Sequence, residues 1–174
     1  MTKLMIVESP AKCKTIEGYL GKDWIVKASS GHIRDLPAKE MGISFPDYRP
    51  HYTLNSKSRR NIDAIKKLLP SVDQVYLATD PDREGEAISW HLREVLRLKQ
   101  YKRVSFNEIT KKALEKSIQS ASDIDFNLVK AQEGRRVLDR LVGYSVSPAI
   151  SNAYGSWITA GRVQSVAVRI VVER

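Results

Sequence analysis

The chain has 174 residues, a net charge of +9, 42% hydrophobic residues and 28% charged ones. That composition fits a globular protein with one full core, or one domain plus part of another, and no apolar run approaches the roughly eighteen residues of a membrane span. A single cysteine, Cys13, excludes an internal disulfide framework and any multi-cysteine zinc site; with no signal-peptide pattern at the N-terminus, it points to a reducing cytoplasmic setting.

Leu4 to Val7 is a short apolar run that predicts a strand, and the residues after it open a helix: Ser9 is a suitable N-cap and Pro10 belongs at the first helical position. The helix should run from Pro10 to Leu20 and stop at Gly21. Glu8 then stands at a strand's C-terminal end, where open α/β sheets place their ligands. Lys12 and Lys14 add positive charge near the helix start, which suits phosphate but opposes the helix dipole. A second strand follows from Trp24 to Ala28. The polar turn from Ser29 to Pro37 carries His32 and Arg34, a pair able to contact phosphate. Pro37 to Asn55 contains three prolines and reads as a long irregular excursion with one edge strand.

Ile62, Ile65, Leu68 and Leu69 lie at helical spacing and Pro70 closes that helix. Val75 to Ala78 then predicts a buried strand that runs into Asp80-Pro81-Asp82-Arg83-Glu84-Gly85-Glu86, four carboxylates within seven residues. Pro81 keeps Asp80 out of the α region. Asp82 is placed to cap a helix reaching Leu98, with Glu84 in its first turn. Along an extended segment Asp80 and Asp82 would be about 6.6 Å apart on one side. Acidic residues at a helix start are also favoured by the dipole alone; three of them after a strand and around a proline suit a hard cation such as Mg²⁺, which takes one or two carboxylates, waters and phosphate oxygens.

A strand at Val104 to Phe106 and a helix capped by Thr110 continue the alternation, which indicates a mostly parallel sheet covered on both sides. From about Asp125 the pattern becomes helical: a long helix bears Arg135, Arg136, Asp139 and Arg140, Ser147-Pro148 begins a further short piece, and a last helix sets Val163, Val166, Ala167 and Ile170 on one face with Arg162, Ser165 and Arg169 on another. Leu128 to Arg174 holds seven Lys and Arg against three Asp and Glu. Basic surfaces of this kind reward polyanionic partners through counterion release. Joined to an acidic cluster, they suit an enzyme that holds nucleic acid and places metal at one phosphate.

Five ordered blocks, Ile6-Val7-Glu8-Ser9-Pro10-Ala11-Lys12, Gly31-His32-Ile33-Arg34-Asp35-Leu36-Pro37, the acidic turn, Phe106-Asn107-Glu108-Ile109-Thr110 and Ala160 to Arg169, resemble the N-terminal part of the bacterial type IA DNA topoisomerases, the topoisomerase I family. The resemblance implies an α/β fold, a Rossmann-like Toprim domain with a mostly parallel sheet and flanking helices over residues 1–122. An incomplete α-helical segment over 123–174 would be the start of the domain that grips single-stranded DNA. In that family a tyrosine attacks a DNA phosphate, forms a 5′-phosphotyrosyl link, and reseals after strand passage, which relaxes negative supercoils. By position, Glu8 would do acid-base work and Lys12 would stabilise phosphate charge. Asp80, Asp82 and Glu84, with Glu8, would hold Mg²⁺. Arg135, Arg136, Asp139, Arg162, Gln164, Ser165 and Arg169 would line the DNA path, with His32 near the site. The seven tyrosines, Tyr19, Tyr48, Tyr52, Tyr76, Tyr101, Tyr144 and Tyr154, lie outside the family's nucleophile motif. The expectation is a monomeric, nucleoid-associated chain that lacks the remaining domains of the full enzyme and is inactive alone. The alternatives are a free-standing Toprim nuclease or primase-like enzyme, and a non-catalytic DNA-binding fragment.

Overall fold

The computed structural model describes all 174 residues. Four strands, β1 (Lys3–Val7), β2 (Trp24–Ala28), β5 (Gln74–Ala78) and β6 (Lys102–Val104), form one sheet in the order β2-β1-β5-β6 with every pair parallel. Their registers align Val7 with Ala28 and Ala78, and Ala78 with Val104. The four C-terminal strand ends therefore share one edge, and the residues that follow them are neighbours in space although far apart in sequence.

The apolar runs are continuous because both faces of the sheet are covered. Leu4, Met5, Ile6 and Val7 are all fully buried. Leu4 and Ile6 pack with Val75 and Leu77 on one face, against Ile62 and Ile65 of α2 (Ser56–Leu68) and Ile88 and Leu92 of α3 (Arg83–Leu96). Met5 and Val7 pack with Tyr76 and Ala78 on the other, against Ile16 of α1 (Pro10–Leu20) and Leu114 of α4 (Lys111–Gln119). The period of two along each strand thus sorts alternate residues into two cores.

Helix α5 (Phe126–Tyr154) starts against the first of these cores through Val129, and α6 (Arg162–Val172) follows it in sequence. The chain divides into two compact units, Met1–Asp35 with Thr53–Gln132, and Leu36–Tyr52 with Glu133–Arg174. In the second unit Arg140 donates to the carbonyls of Pro37 and Glu40 at 2.8 and 3.0 Å, and the Tyr144 hydroxyl donates to Ala38 O at 2.7 Å. These bonds explain why the 36–52 excursion belongs with α5.

Several local expectations change. Ser147-Pro148 begins no separate piece: α5 runs through Pro148 to Tyr154. A proline withdraws one i−4 hydrogen bond, and here Ser147 and Ser151, one turn apart, bind the returning segment at Ala160 and Ile158. Ser9 occupies the N-cap position of α1, but its side chain makes no capping bond. The edge strand of the excursion, β4 (Thr53–Leu54), pairs antiparallel with β3 (Arg34–Asp35), a stretch that reads as turn in the sequence. The strand expected at Val104 to Phe106 lies two residues earlier.

Candidate active site

Glu8 follows β1 and Asp80 follows β5, and because those strands are adjacent and parallel the two carboxylates meet at the shared edge. Lys12, in the first turn of α1, reaches across to Asp80, its Nζ 3.0 Å from Oδ1. The Ser29–His32 loop is bonded onto the same strand end: Ser29 N donates to Val7 O, and Ser30 N and Gly31 N both donate to Glu8 O at 3.0 and 3.2 Å. Gly31 takes φ +78 to make this turn, a conformation glycine adopts without strain. The His32 carbonyl is tied in turn to Ser58 Oγ of α2 at 3.2 Å.

The acidic turn is built as a strand end, a cap and a tight helix start. Asp82 is extended at the N-cap of α3 and its Oδ1 accepts from Gly85 N at 2.7 Å, which satisfies one of the open amides of the first turn. Gly85 is required by close approach: a Cβ there would stand 2.1 Å from the Asp80 carbonyl oxygen. Thr79 Oγ1 donates to Gly85 O at 2.5 Å and lies 2.9 Å from Ser89 Oγ, so the strand end and the helix start are also tied by side chains.

Glu86 differs from its three acidic neighbours. It is buried, and Arg103 of β6, 3% exposed, sits 2.9 Å from its Oε2. Arg103 also donates to Thr79 O and Asp80 O, each at 2.9 Å, and to Val104 O. The other Glu86 oxygen accepts from Asp125 N at 2.7 Å, just before α5. A buried guanidinium thus holds the backbone from which Asp80 projects. Nothing in its own stretch, Lys102-Arg103-Val104, marks this role in the sequence. A partly buried contact ties Arg34 to α3: its Nε donates to His91 Nδ1 at 2.9 Å and its guanidinium stacks 5.1 Å from the Trp90 ring centroid. Burial, helped by Arg34, lowers the His91 pKa to about 3.

Burial pushes the Glu8 carboxyl above its ordinary value, Asp80 adds to the rise, Lys12 and His32 oppose it, and Asp82 adds a smaller increment. Glu84 Oε2 lies 3.5 Å from His32 Nε2 and 3.3 Å from Gln132 Nε2. A cavity of about 300 Å³ beside Lys12 and Asp80 is lined by Phe106, Asn107 and Glu108, which places that block next to the acidic turn. The structure therefore brings together Glu8, Lys12, His32, Asp80, Asp82 and Glu84. No group of three or more His, Cys, Asp or Glu side chains closes on one point as a metal cage. The donors are nevertheless hard oxygens, the Asp80 side chain is half exposed with a cation already on it, and Glu8 is raised first by burial and then by the Asp80 carboxylate. That chemistry fits an ion such as Mg²⁺, which needs only one or two protein carboxylates.

The other residues picked from sequence lie in the second unit. Arg162 Nε donates to Asp139 Oδ1, and Arg135 Nε lies 3.8 Å from Asp139 Oδ2. The hydrogen bond from Arg162 holds the Asp139 carboxyl below its ordinary value. Arg136 lines a cavity of about 310 Å³ with Asp139, Arg140, Tyr144 and Thr159. On α6, Ser165 Oγ accepts from Gly161 N at 3.4 Å and Arg169 pairs with Glu173 at 2.7 Å. Gln164 sits over Gly161, where a Cβ would be 3.1 Å from its Oε1.

The chain matches the Toprim domain family over residues 3–109 and the DNA topoisomerase family over residues 123–174. A DNA topoisomerase I, plasmid, of Xylella fastidiosa is 55% identical over 172 residues, 99% of this chain and 26% of that protein. A DNA topoisomerase 1 of Rickettsia felis is 51% identical over 181 residues, 99% of this chain and 23% of that protein. The solved full-length topoisomerase I of Thermotoga maritima superposes with a TM-score of 0.88 at 39% identity, over 98% of this chain and 30% of that one. This chain thus spans about a quarter of the length of the curated relatives it matches. It belongs to the Toprim family, in the form found in the N-terminal part of bacterial DNA topoisomerase I.

Proposed function

We propose that the chain supplies the Mg²⁺ site and the acid-base and phosphate-binding groups of a type IA DNA topoisomerase, while the nucleophilic tyrosine belongs to a segment beyond it. The observation that carries this reading is the meeting of Glu8, Lys12 and Asp80 at one sheet edge, with a 3.0 Å ion pair between the last two. Glu8, its carboxyl raised by burial, holds a proton more readily than an ordinary glutamate and is placed to hand it to a leaving oxygen. Lys12 is a preorganised cation for the charge that develops on the phosphate. Asp80, Asp82 and Glu84 would hold Mg²⁺, with His32 flanking Glu84. A bound Mg²⁺ would neutralise phosphate charge and orient the scissile group.

In this reading Arg135, Arg136, Asp139, Arg162, Gln164, Ser165 and Arg169 contact single-stranded DNA. The arginines neutralise phosphates, and the Asp139 carboxylate fixes the Arg162 head group. The chain works as a monomer in the cytoplasm, on nucleoid DNA. None of its helices is long and apolar enough to cross a membrane. Residues 123–174 begin the DNA-gripping domain, with the first turns of α5 packed in the Toprim unit through Val129 and Gln132.

Incubating the pure chain with negatively supercoiled plasmid and Mg²⁺ tests the division of labour. No relaxation and no covalent protein–DNA adduct are expected. Relaxation by the chain alone would overturn the assignment of the nucleophile to another segment, and cleavage without an adduct would favour a free-standing nuclease.

A further inference from the structure

Gln132, on the second turn of α5, is 6% exposed, and the side chain is polar where its neighbour Val129 is apolar and packed in the core. Its Nε2 donates to Glu84 Oε2 at 3.3 Å. Its Oε1 is buried and accepts no hydrogen bond. An amide buried with one end unpaired costs folding free energy, whereas an apolar side chain of the same volume would not. Buried polar groups that break a packing rule in this way concentrate at functional sites.

The one partner that Gln132 has is a carboxylate of the candidate active site, on the oxygen that also faces His32 Nε2 at 3.5 Å. The helix that presents Gln132 is itself fixed from the same turn of α3: Glu86, two residues past Glu84, accepts from Asp125 N at 2.7 Å and is anchored by Arg103. Glu84 and Glu86 therefore project from one helix start to two points on the beginning of α5. The Glu86 contact sets the helix, and the Gln132 contact bears on the exposed carboxylate.

We propose that Gln132 is a positioning residue for Glu84: its amide donor holds Oε2 between Gln132 and His32, and so fixes the direction in which this carboxylate meets a divalent cation. The proposal rests on the magnesium reading above. A residue that served only the fold would destabilise it when replaced by leucine. A positioning residue would leave stability intact and release Glu84, as the loss of outer-shell partners does at metal sites.

The test compares the 174-residue chain with Gln132→Leu, using Glu84→Gln as reference, by thermal melting and by Mn²⁺ titration. The leucine variant is expected to melt no lower than the parent and to bind Mn²⁺ about tenfold more weakly. Parent-like affinity, or a clearly lower melting point, would overturn the proposal. Should the parent itself bind no Mn²⁺, the magnesium reading fails separately, and the metal-free ¹³C carboxyl resonance of Glu84, assigned by its absence in Glu84→Gln, decides the matter. A resonance that moves in Gln132→Leu upholds the positioning role, and one that stays in place overturns it.

Discussion

Glu8 shows how burial and charge combine on a single group. Its carboxyl is raised first by desolvation and then by Asp80, so the folded chain binds its proton more tightly than the unfolded chain does. The stability this contributes is complete below the ordinary value of 4.5 and is lost as pH rises through the higher folded value. Glu8→Gln, which cannot ionise, should therefore melt higher than the parent near neutral pH, with the difference closing as pH falls through the raised folded value and gone below 4.5; thermal melts across that range check it. His91 acts in the opposite direction: its folded value near 3 means that the fold loses stability as pH drops below the ordinary 6.5. Glu8 and Lys12 were legible in the sequence because each sits beside a strand end or a helix start that local pattern defines. Arg103 and Gln132 were not, because each acts on a residue 17 or 48 positions away and nothing in its own neighbourhood marks the partner.

The start of α3 is the element on which the acidic turn depends. The cap by Asp82 and the placement of Glu84 follow from helix-terminus chemistry, which is why the sequence allowed them to be read. The fit of Gly85 against the Asp80 backbone is a tertiary contact, and glycine in a helical stretch carries no sign of it. Gly85→Ala would force the strand end and the helix apart, at a cost of about 2 kcal/mol or more for overpacking. The expected result is a clearly lower melting temperature together with weakened divalent cation binding. An alanine variant with unchanged melting would show that the turn tolerates a Cβ. Pro148 marks the opposite failure of local reading: proline signals a helix end, yet α5 continues because Ser147 and Ser151 bind the 155–161 segment that returns along it.

At the scale of the molecule, the alternation of strands and helices was enough to predict a parallel sheet with two covered faces, and the sheet has that form. Strand order could not be read from pattern, although it decides the site: placing β5 beside β1 brings Asp80 to Lys12 across 68 residues of sequence. The grouping of 36–52 with the helices of the second unit was likewise hidden, since it depends on Arg140 and Tyr144 bonding to carbonyls about a hundred residues away. The proposed function requires this sheet edge to hold a divalent cation. Calorimetric titration of Mg²⁺ into the folded chain and into Asp80→Asn tests it most directly. Saturable binding to the parent is expected, with a loss of at least about tenfold in the variant, no smaller than changes outside the ligand shell produce; equal affinities, or no binding to the folded parent, would rule out a cation site at this edge.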